Sequence, residues 1–215
     1  MPSESRSLRL YLVRHTEPEG GRTWTILGHK DVPLSKRGTR HSERLAKQFE
    51  RAPLEAVYCS DLSRAWWFAE LVAKSRGLPA YRLEALRELD CGCMDGMKRD
   101  EARSEYPEVF EGLRRDPVNY RIPKGETMQE LADRVRPVID DVKAGGHRCV
   151  LVVAHAVVNR VVICDALNLP LDFAYRIDQS YGGVNIIEYG GRHPTVHVVN
   201  APSLPAAFAA AWKDI

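Results

Sequence analysis

The sequence contains no apolar run long enough to cross a bilayer. Its first residues, Met1 to Ser7, are polar and lack the apolar core of a signal peptide. Neither a membrane role nor export is expected, and the chain reads as cytoplasmic. Net charge is nearly absent as well: 31 Lys and Arg against 29 Asp and Glu leave +2. No global basic field points to nucleic acid, although a local cluster of Arg and His can still hold a small anion. Cysteine is sparse, and an odd five without a secretory signal argues against a disulfide framework. Cys59, Cys149 and Cys164 lie in apolar stretches and read as buried thiols. Cys91 and Cys93 are separated by Gly92 alone, tighter than a zinc knuckle, and lack two further ligands at suitable spacing. Also missing are a GxxxxGK[ST] phosphate loop, a carboxylate-rich metal cradle, and a GxGxxG after the first strand. The last absence argues against a dinucleotide-dependent oxidoreductase.

What is present is a strand–helix alternation on a length of 215 residues, enough for one α/β domain and short for two. Leu8 to Val13 is a short apolar run that suits a buried strand and ends at Arg14-His15. Residues 16–34 read as a long loop with Pro18, Gly20, Gly21, Gly28 and Pro33. Ser35 is an N-cap candidate for a helix through about residue 50. Ala56 to Cys59 reads as a strand, Asp61 to Arg76 as a helix stopped by Gly77 and Pro79, and Tyr81 to Leu83 as a third strand. Residues 88–125 look irregular, with one short helix near Asp100 to Tyr106, and read as a cap-like insertion at about 89–124. Thr127-Met128-Gln129-Glu130 has capping-box form and predicts a helix to about Lys143. Cys149 to Val153 is the clearest buried strand, followed by a helix to about Leu167. Strands are expected near Val184 to Tyr189 and Thr195 to Val199, and a short helix in the Ala-rich C-terminal tail. This alternation predicts an α/β protein, a three-layer α/β/α sandwich with a mostly parallel central sheet. Such sheets bind ligands at the carboxyl ends of their strands. Two predicted strands end in histidine, at Arg14-His15 and at Ala154-His155.

Those histidines fit phosphoryl transfer, which needs an in-line nucleophile, positive charge around the equatorial oxygens, and a proton for the leaving alkoxide. Arginine forks can supply the charge where no metal cradle exists. A neutral imidazole can attack phosphorus when its other nitrogen keeps the proton and is held by an acceptor. Arg64 lies near the start of a predicted helix that follows a strand, a position that favours anions. Glu88 is a candidate acid, with Glu84 and Asp90 as equal rivals on spacing. Taken singly, each has an ordinary reading: a strand-end histidine satisfying local hydrogen bonds, a solvated arginine, a surface carboxylate.

Taken together, the segments resemble the histidine phosphatase superfamily, the group that includes phosphoglycerate mutase-like enzymes. They are Leu12-Val13-Arg14-His15-Thr16-Glu17; Gly28 with Asp31-Val32-Pro33-Leu34-Ser35 and Gly38; Ser60-Asp61-Leu62-Ser63-Arg64-Ala65; Leu86-Arg87-Glu88; Gly125-Glu126-Thr127; and Val152-Val153-Ala154-His155. They occur in family order from about Leu8 to Ala166. The resemblance implies a phosphoglycerate mutase-like fold over residues 1–215. It implies His15 as a nucleophile carrying a transient phosphohistidine, and Arg14, Arg64 and His155 as phosphate ligands. Glu88 would be general acid and then base. No metal or organic cofactor is implied, and the partner is a small-molecule phosphate ester. A homodimer is expected only as the commonest state for enzymes of this size. The chain departs from the family pattern at Thr16, usually Gly, which adds a hydroxyl expected near the phosphate. It departs again at Ala154 and Ala156 around His155, and at Gly21, where many members carry Asn. Arg14 to Pro18 and Gly28 to Ser35 look like the α-ribazole phosphatase branch, although broad-specificity sugar-phosphate phosphatases share much of this. A mutase is less favoured, because such members usually carry longer insertions. A catalytically weak phosphate-binding module is opposed by the intact Arg14, His15, Arg64, Glu88 and His155 set. Most of the insertion's basic residues, Arg99, Arg103, Arg114, Arg115, Arg121 and Lys124, read as a solvated face, with one or two reaching an anionic part of the substrate.

Overall fold

A strand buried along both faces must be covered by a layer on each side, and the chain has two of this kind. The structure is a computed structural model and describes residues 7–210. In β1 (Leu8–Arg14), Leu8, Leu10 and Leu12 join one core cluster while Tyr11 and Val13 join the other. In β4 (Cys149–Ala154), Val150, Val152 and Ala154 face the first cluster, and Cys149, Leu151 and Val153 the second. The remaining strands are β2 (Ala56–Ser60), β3 (Ala80–Leu83), β5 (Val184–Tyr189) and β6 (Thr195–Ala201). Among the described residues they form one sheet in the order β3-β2-β4-β1-β5-β6. The first four are mutually parallel; β5 runs antiparallel to β1, and β6 antiparallel to β5. Helices α1 (Lys36–Phe49) and α2 (Ser63–Arg76) pack on one face, and α5 (Met128–Ala144) and α6 (Ala156–Ala166) on the other. This is the three-layer sandwich the alternation predicts.

Local signals set the helix starts. Ser35 accepts a hydrogen bond from Gly38 N, and Thr127 and Glu130 complete the capping box, a motif worth about 1 kcal/mol. The insertion differs from expectation. It holds two helices, α3 (Arg99–Glu105) and α4 (Pro107–Arg115). Pro107 opens α4 at its first turn, where a missing N–H costs nothing, instead of breaking it. Ala102 and Val109 are fully buried against the α5–α6 side of the core. The insertion is also stitched to the long loop: Ile26 N donates to Met97 O (2.8 Å) and Arg99 N to Trp24 O (3.0 Å). In the C-terminal tail, Ala206–Phe208 form a single 3-10 turn, and residues 211–215 lie outside the described residues. Among the described residues no helix is long and apolar enough to cross a membrane.

Candidate active site

Strand register brings the two histidines together. β1 and β4 are adjacent, with Arg14 opposite Ala154. The next residue on each is a histidine, and His15 N donates to Ala154 O (3.0 Å). The rings of His15 and His155 lie with centroids 5.0 Å apart at 62°. They are 3% and 0% exposed. His15 Nδ1 is 2.7 Å from Thr16 O. A carbonyl only accepts, so Nδ1 carries the proton and Nε2 keeps its lone pair. Burial, then the charges of Arg64 and Arg14, hold the His15 imidazole well below the ordinary histidine value. His155 is pushed down for the same leading reasons, with His15 itself adding to the effect. Neither ring nitrogen of His155 has a hydrogen-bond partner among the described residues. Two buried polar atoms left open in this way call for a ligand.

Two arginines complete the inner end. Arg64 lies in the first turn of α2 and is 1% exposed. It donates to Lys30 O and Gly28 O, both at 2.7 Å, which fixes the guanidinium against the 16–34 loop. That loop is pinned in return, as Asp31 accepts from Ser63 N (2.8 Å) and Ser63 Oγ (2.7 Å) at the start of α2. Gly28 has φ of +43°, and a Cβ there would stand 2.0 Å from Asp95 Oδ1, so only glycine fits. Arg14 donates to Gln179 O (2.5 Å) and lies 4.0 Å from the Tyr181 ring centroid. Gln179 and Asn185, both buried, exchange hydrogen bonds at 2.8 and 2.9 Å behind it.

Of the three candidate acids, Glu88 is the one that lines the cleft. Its carboxylate accepts from Leu89 N (3.0 Å), Ala156 N (3.0 Å) and Val157 N (3.1 Å), at the N-terminus of α6 beside His155. Glu84 pairs with Arg87 on the surface, and Asp90 caps Gly92 N. Arg134 holds the backbone that carries Glu88. It donates to Ala85 O, Arg87 O and Glu88 O at 2.7–2.9 Å and to both oxygens of Glu126. These bonds use every one of its N–H donors. His29 Nε2 lies 2.9 Å from the same Glu88 carbonyl.

Thr16 is not where the resemblance implies. It is 0% exposed, and its hydroxyl bonds Gly38 O (2.9 Å) and Ser42 Oγ (2.6 Å), tying β1 to α1. Its contribution to the site is its carbonyl, on His15 Nδ1. Arg14, His15, Arg64 and Glu88 line one cleft of about 540 Å³, with Tyr181 and residues of the insertion. Sequence reasoning missed Arg134 and Tyr181. An arginine beside the buried stripe of α5, three residues after Leu131, was the available signal for the first; the second had none. Cys91 lines the cleft and burial pushes its thiol well up. Among the described residues no three of His, Cys, Asp or Glu gather as a metal site requires.

A family model described as the histidine phosphatase superfamily (branch 1) matches residues 10–202. Phosphoserine phosphatase 1 of Hydrogenobacter thermophilus is 30% identical over 165 residues, covering 76% of this chain and 78% of its own. The α-ribazole phosphatase from Shigella flexneri superposes with a TM-score of 0.83 at 25% identity, over 93% of this chain and 99% of its own. A phosphoglycerate mutase from Bacillus anthracis shares the fold, with a TM-score of 0.77 at 21% identity over 94% of this chain and 96% of its own.

Proposed function

As the chain belongs to the histidine phosphatase superfamily and is a phosphoric monoester hydrolase, we propose that it hydrolyses small-molecule phosphomonoesters through a phosphohistidine on His15. The observation that carries this reading is the His15 Nδ1 bond to Thr16 O. It leaves Nε2 unprotonated and fixed in direction within a neutral, buried imidazole. In the first step, Nε2 attacks phosphorus, the ester P–O bond breaks, and Glu88 passes a proton to the leaving alkoxide. In the second, Glu88 takes a proton from water, the water oxygen bonds phosphorus, and the P–N bond breaks. Arg14 and Arg64 balance the charge of the phosphoryl oxygens, and His155 donates its free N–H to one of them.

The relatives' names supply the first substrate panel: α-ribazole 5′-phosphate, phosphoserine and 3-phosphoglycerate. The likeness of residues 14–18 and 28–35 to the α-ribazole phosphatase branch supports including the first. The test is p-nitrophenyl phosphate hydrolysis in EDTA by wild type and His15→Ala, with acid-labile, base-stable phosphoenzyme followed by rapid quench. We expect turnover and phosphoenzyme from wild type and neither from the variant. A His15→Ala protein with near-normal rate would remove His15 from the mechanism, and activity lost in EDTA but restored by a divalent cation would remove the metal-free step.

A further inference from the structure

Phosphoryl chemistry accounts for the inner end of the cleft and leaves its outer wall unexplained. Among the described residues that line the cleft, Glu88 is the sole acid, against six arginines: Arg14, Arg64, Arg99, Arg103, Arg114 and Arg160. Arg14 and Arg64 belong to the scissile phosphate. Arg114 is neutralised by Glu111, to which it donates two hydrogen bonds, and the neighbouring Arg115 pairs with the same carboxylate. Arg121, also in the insertion, pairs with Glu130.

Arg99 and Arg103 differ from these. Neither has a carboxylate partner among the described residues. They stand one turn apart on α3, and both guanidiniums stack on the same ring, at 5.7 and 5.3 Å from the Phe110 centroid. Stacking orients an arginine fork while leaving its N–H edge open. Arg160, from α6, is built alike: Nε donates to Ile177 O (2.8 Å) and the guanidinium lies 5.3 Å from the Tyr175 centroid. The three are continuous with the inner site. The charge of Arg160 is felt at Arg14, and those of Arg160 and Arg99 at Tyr175. So many converging cations repel one another unless an anion sits among them. Leu27, Leu89, Met94, Leu113, Ile122 and Val157 line the same cleft and favour an apolar body.

We propose that Arg99, Arg103 and Arg160 form a second oxyanion subsite, so that the preferred substrate is a phosphomonoester whose organic body ends in a second phosphate or a carboxylate. The inference rests on the phosphatase reading for its first phosphate. It places a neutral body such as that of α-ribazole 5′-phosphate below doubly anionic esters.

The experiment is calorimetric binding to the whole protein of three non-hydrolysable series matched in chain length: alkylphosphonates, ω-phosphonoalkanoates and alkane-α,ω-diylbisphosphonates. At one chain length, wild type is expected to bind a doubly anionic member about tenfold or more tighter than the alkylphosphonate. Whichever series shows the gain identifies the second oxyanion. The Arg99→Gln/Arg103→Gln protein is expected to lose most of that ratio, and Arg160→Gln part of it. Arg115→Gln, a carboxylate-paired control, is expected to keep it. Equal affinities at every chain length, or a ratio untouched in the double variant, would overturn the subsite. Binding does not depend on turnover, so a phosphatase reading that failed with p-nitrophenyl phosphate would show separately.

Discussion

Two neutral imidazoles buried between two guanidiniums make this fold sensitive to acid, and the size of the effect follows from counting protons. In the unfolded chain His15 and His155 each take up a proton near pH 6.5. In the folded protein burial and the neighbouring Arg64 and Arg14 hold both values well below that. Below about pH 6.5 the unfolded state therefore binds more protons, so stability rises with pH through this window and is lost as pH falls. Each such histidine contributes a slope of about 1.4 kcal/mol per pH unit, and the pair about 2.7. Asp95 runs the other way, because burial raises its carboxyl to about 6 and the folded state gains its proton first. It is only half-buried, so it blunts the slope without cancelling it. The assay is urea unfolding at stepped pH on wild type and His155→Gln. Between about pH 6 and 5 the variant should lose about 1.4 kcal/mol less than wild type, whatever its stability at neutral pH. Inorganic phosphate should flatten the wild-type slope, since a dianion between the rings favours their protonated forms. Parallel curves for the two proteins would show that His155 titrates in the folded state as it does unfolded, and would refute the reasoning.

Glu88→Gln should lower kcat/KM for alkyl phosphates about a hundredfold or more, yet spare p-nitrophenyl phosphate, whose leaving group departs without a proton. Equal losses on both would take the acid role away from Glu88. Thr16→Val should leave KM nearly unchanged while costing about 1–2 kcal/mol of stability, because Gly38 O and Ser42 lose a buried partner. A large rise in KM would return the Thr16 hydroxyl to the substrate. Arg134→Gln should lower Tm and reduce kcat more than it raises KM, since it abandons the Glu126 carboxylate and frees the backbone that carries Glu88. Arg134→Lys keeps the charge but not the fork, so it should recover stability ahead of kcat.

Much of the framework was legible because it rests on short-range chemistry. Ser35 and Thr127 announce helix starts through their own side chains, and the apolar runs ending in Arg14-His15 and Ala154-His155 announce buried strands that stop at a ligand. Pairing between β1 and β4 cannot be read from either strand alone, yet it is that register which sets the two imidazoles side by side. The second helix of the insertion was illegible because Pro107 signals a break as readily as a first turn. Thr16 was misplaced for a related reason: a hydroxyl next to a strand-end histidine does not say which side of the strand end it faces, and here it faces Ser42 on α1. Which of Glu84, Glu88 and Asp90 reaches the cleft depends on the N-terminus of α6, about seventy residues further along the chain, whose amides hold the Glu88 carboxylate.

The same geometry explains why the site is costly to fold and why it is built in this way. Arg64 is nearly inaccessible to water, and its two guanidinium contacts are to carbonyls, which satisfy N–H groups without neutralising charge. Carboxylate partners in their place would have stabilised the empty protein more, and would have had to be displaced by every incoming phosphate. Carbonyls orient the fork and leave its charge for the ligand. Glu88 obeys the same rule from the opposite sign. Its partners are backbone amides of Leu89, Ala156 and Val157, so it stands beside the cationic site without a cation bonded to it. Arginine meets carboxylate in Arg134 with Glu126 and Arg87 with Asp61, pairs that support the loop and do not line the cleft, and at the outer wall in Arg114 with Glu111. Arg14, Arg64 and Glu88 are thus left without an ionic partner at the inner end of the cleft, as the proposed binding of a phosphate dianion requires.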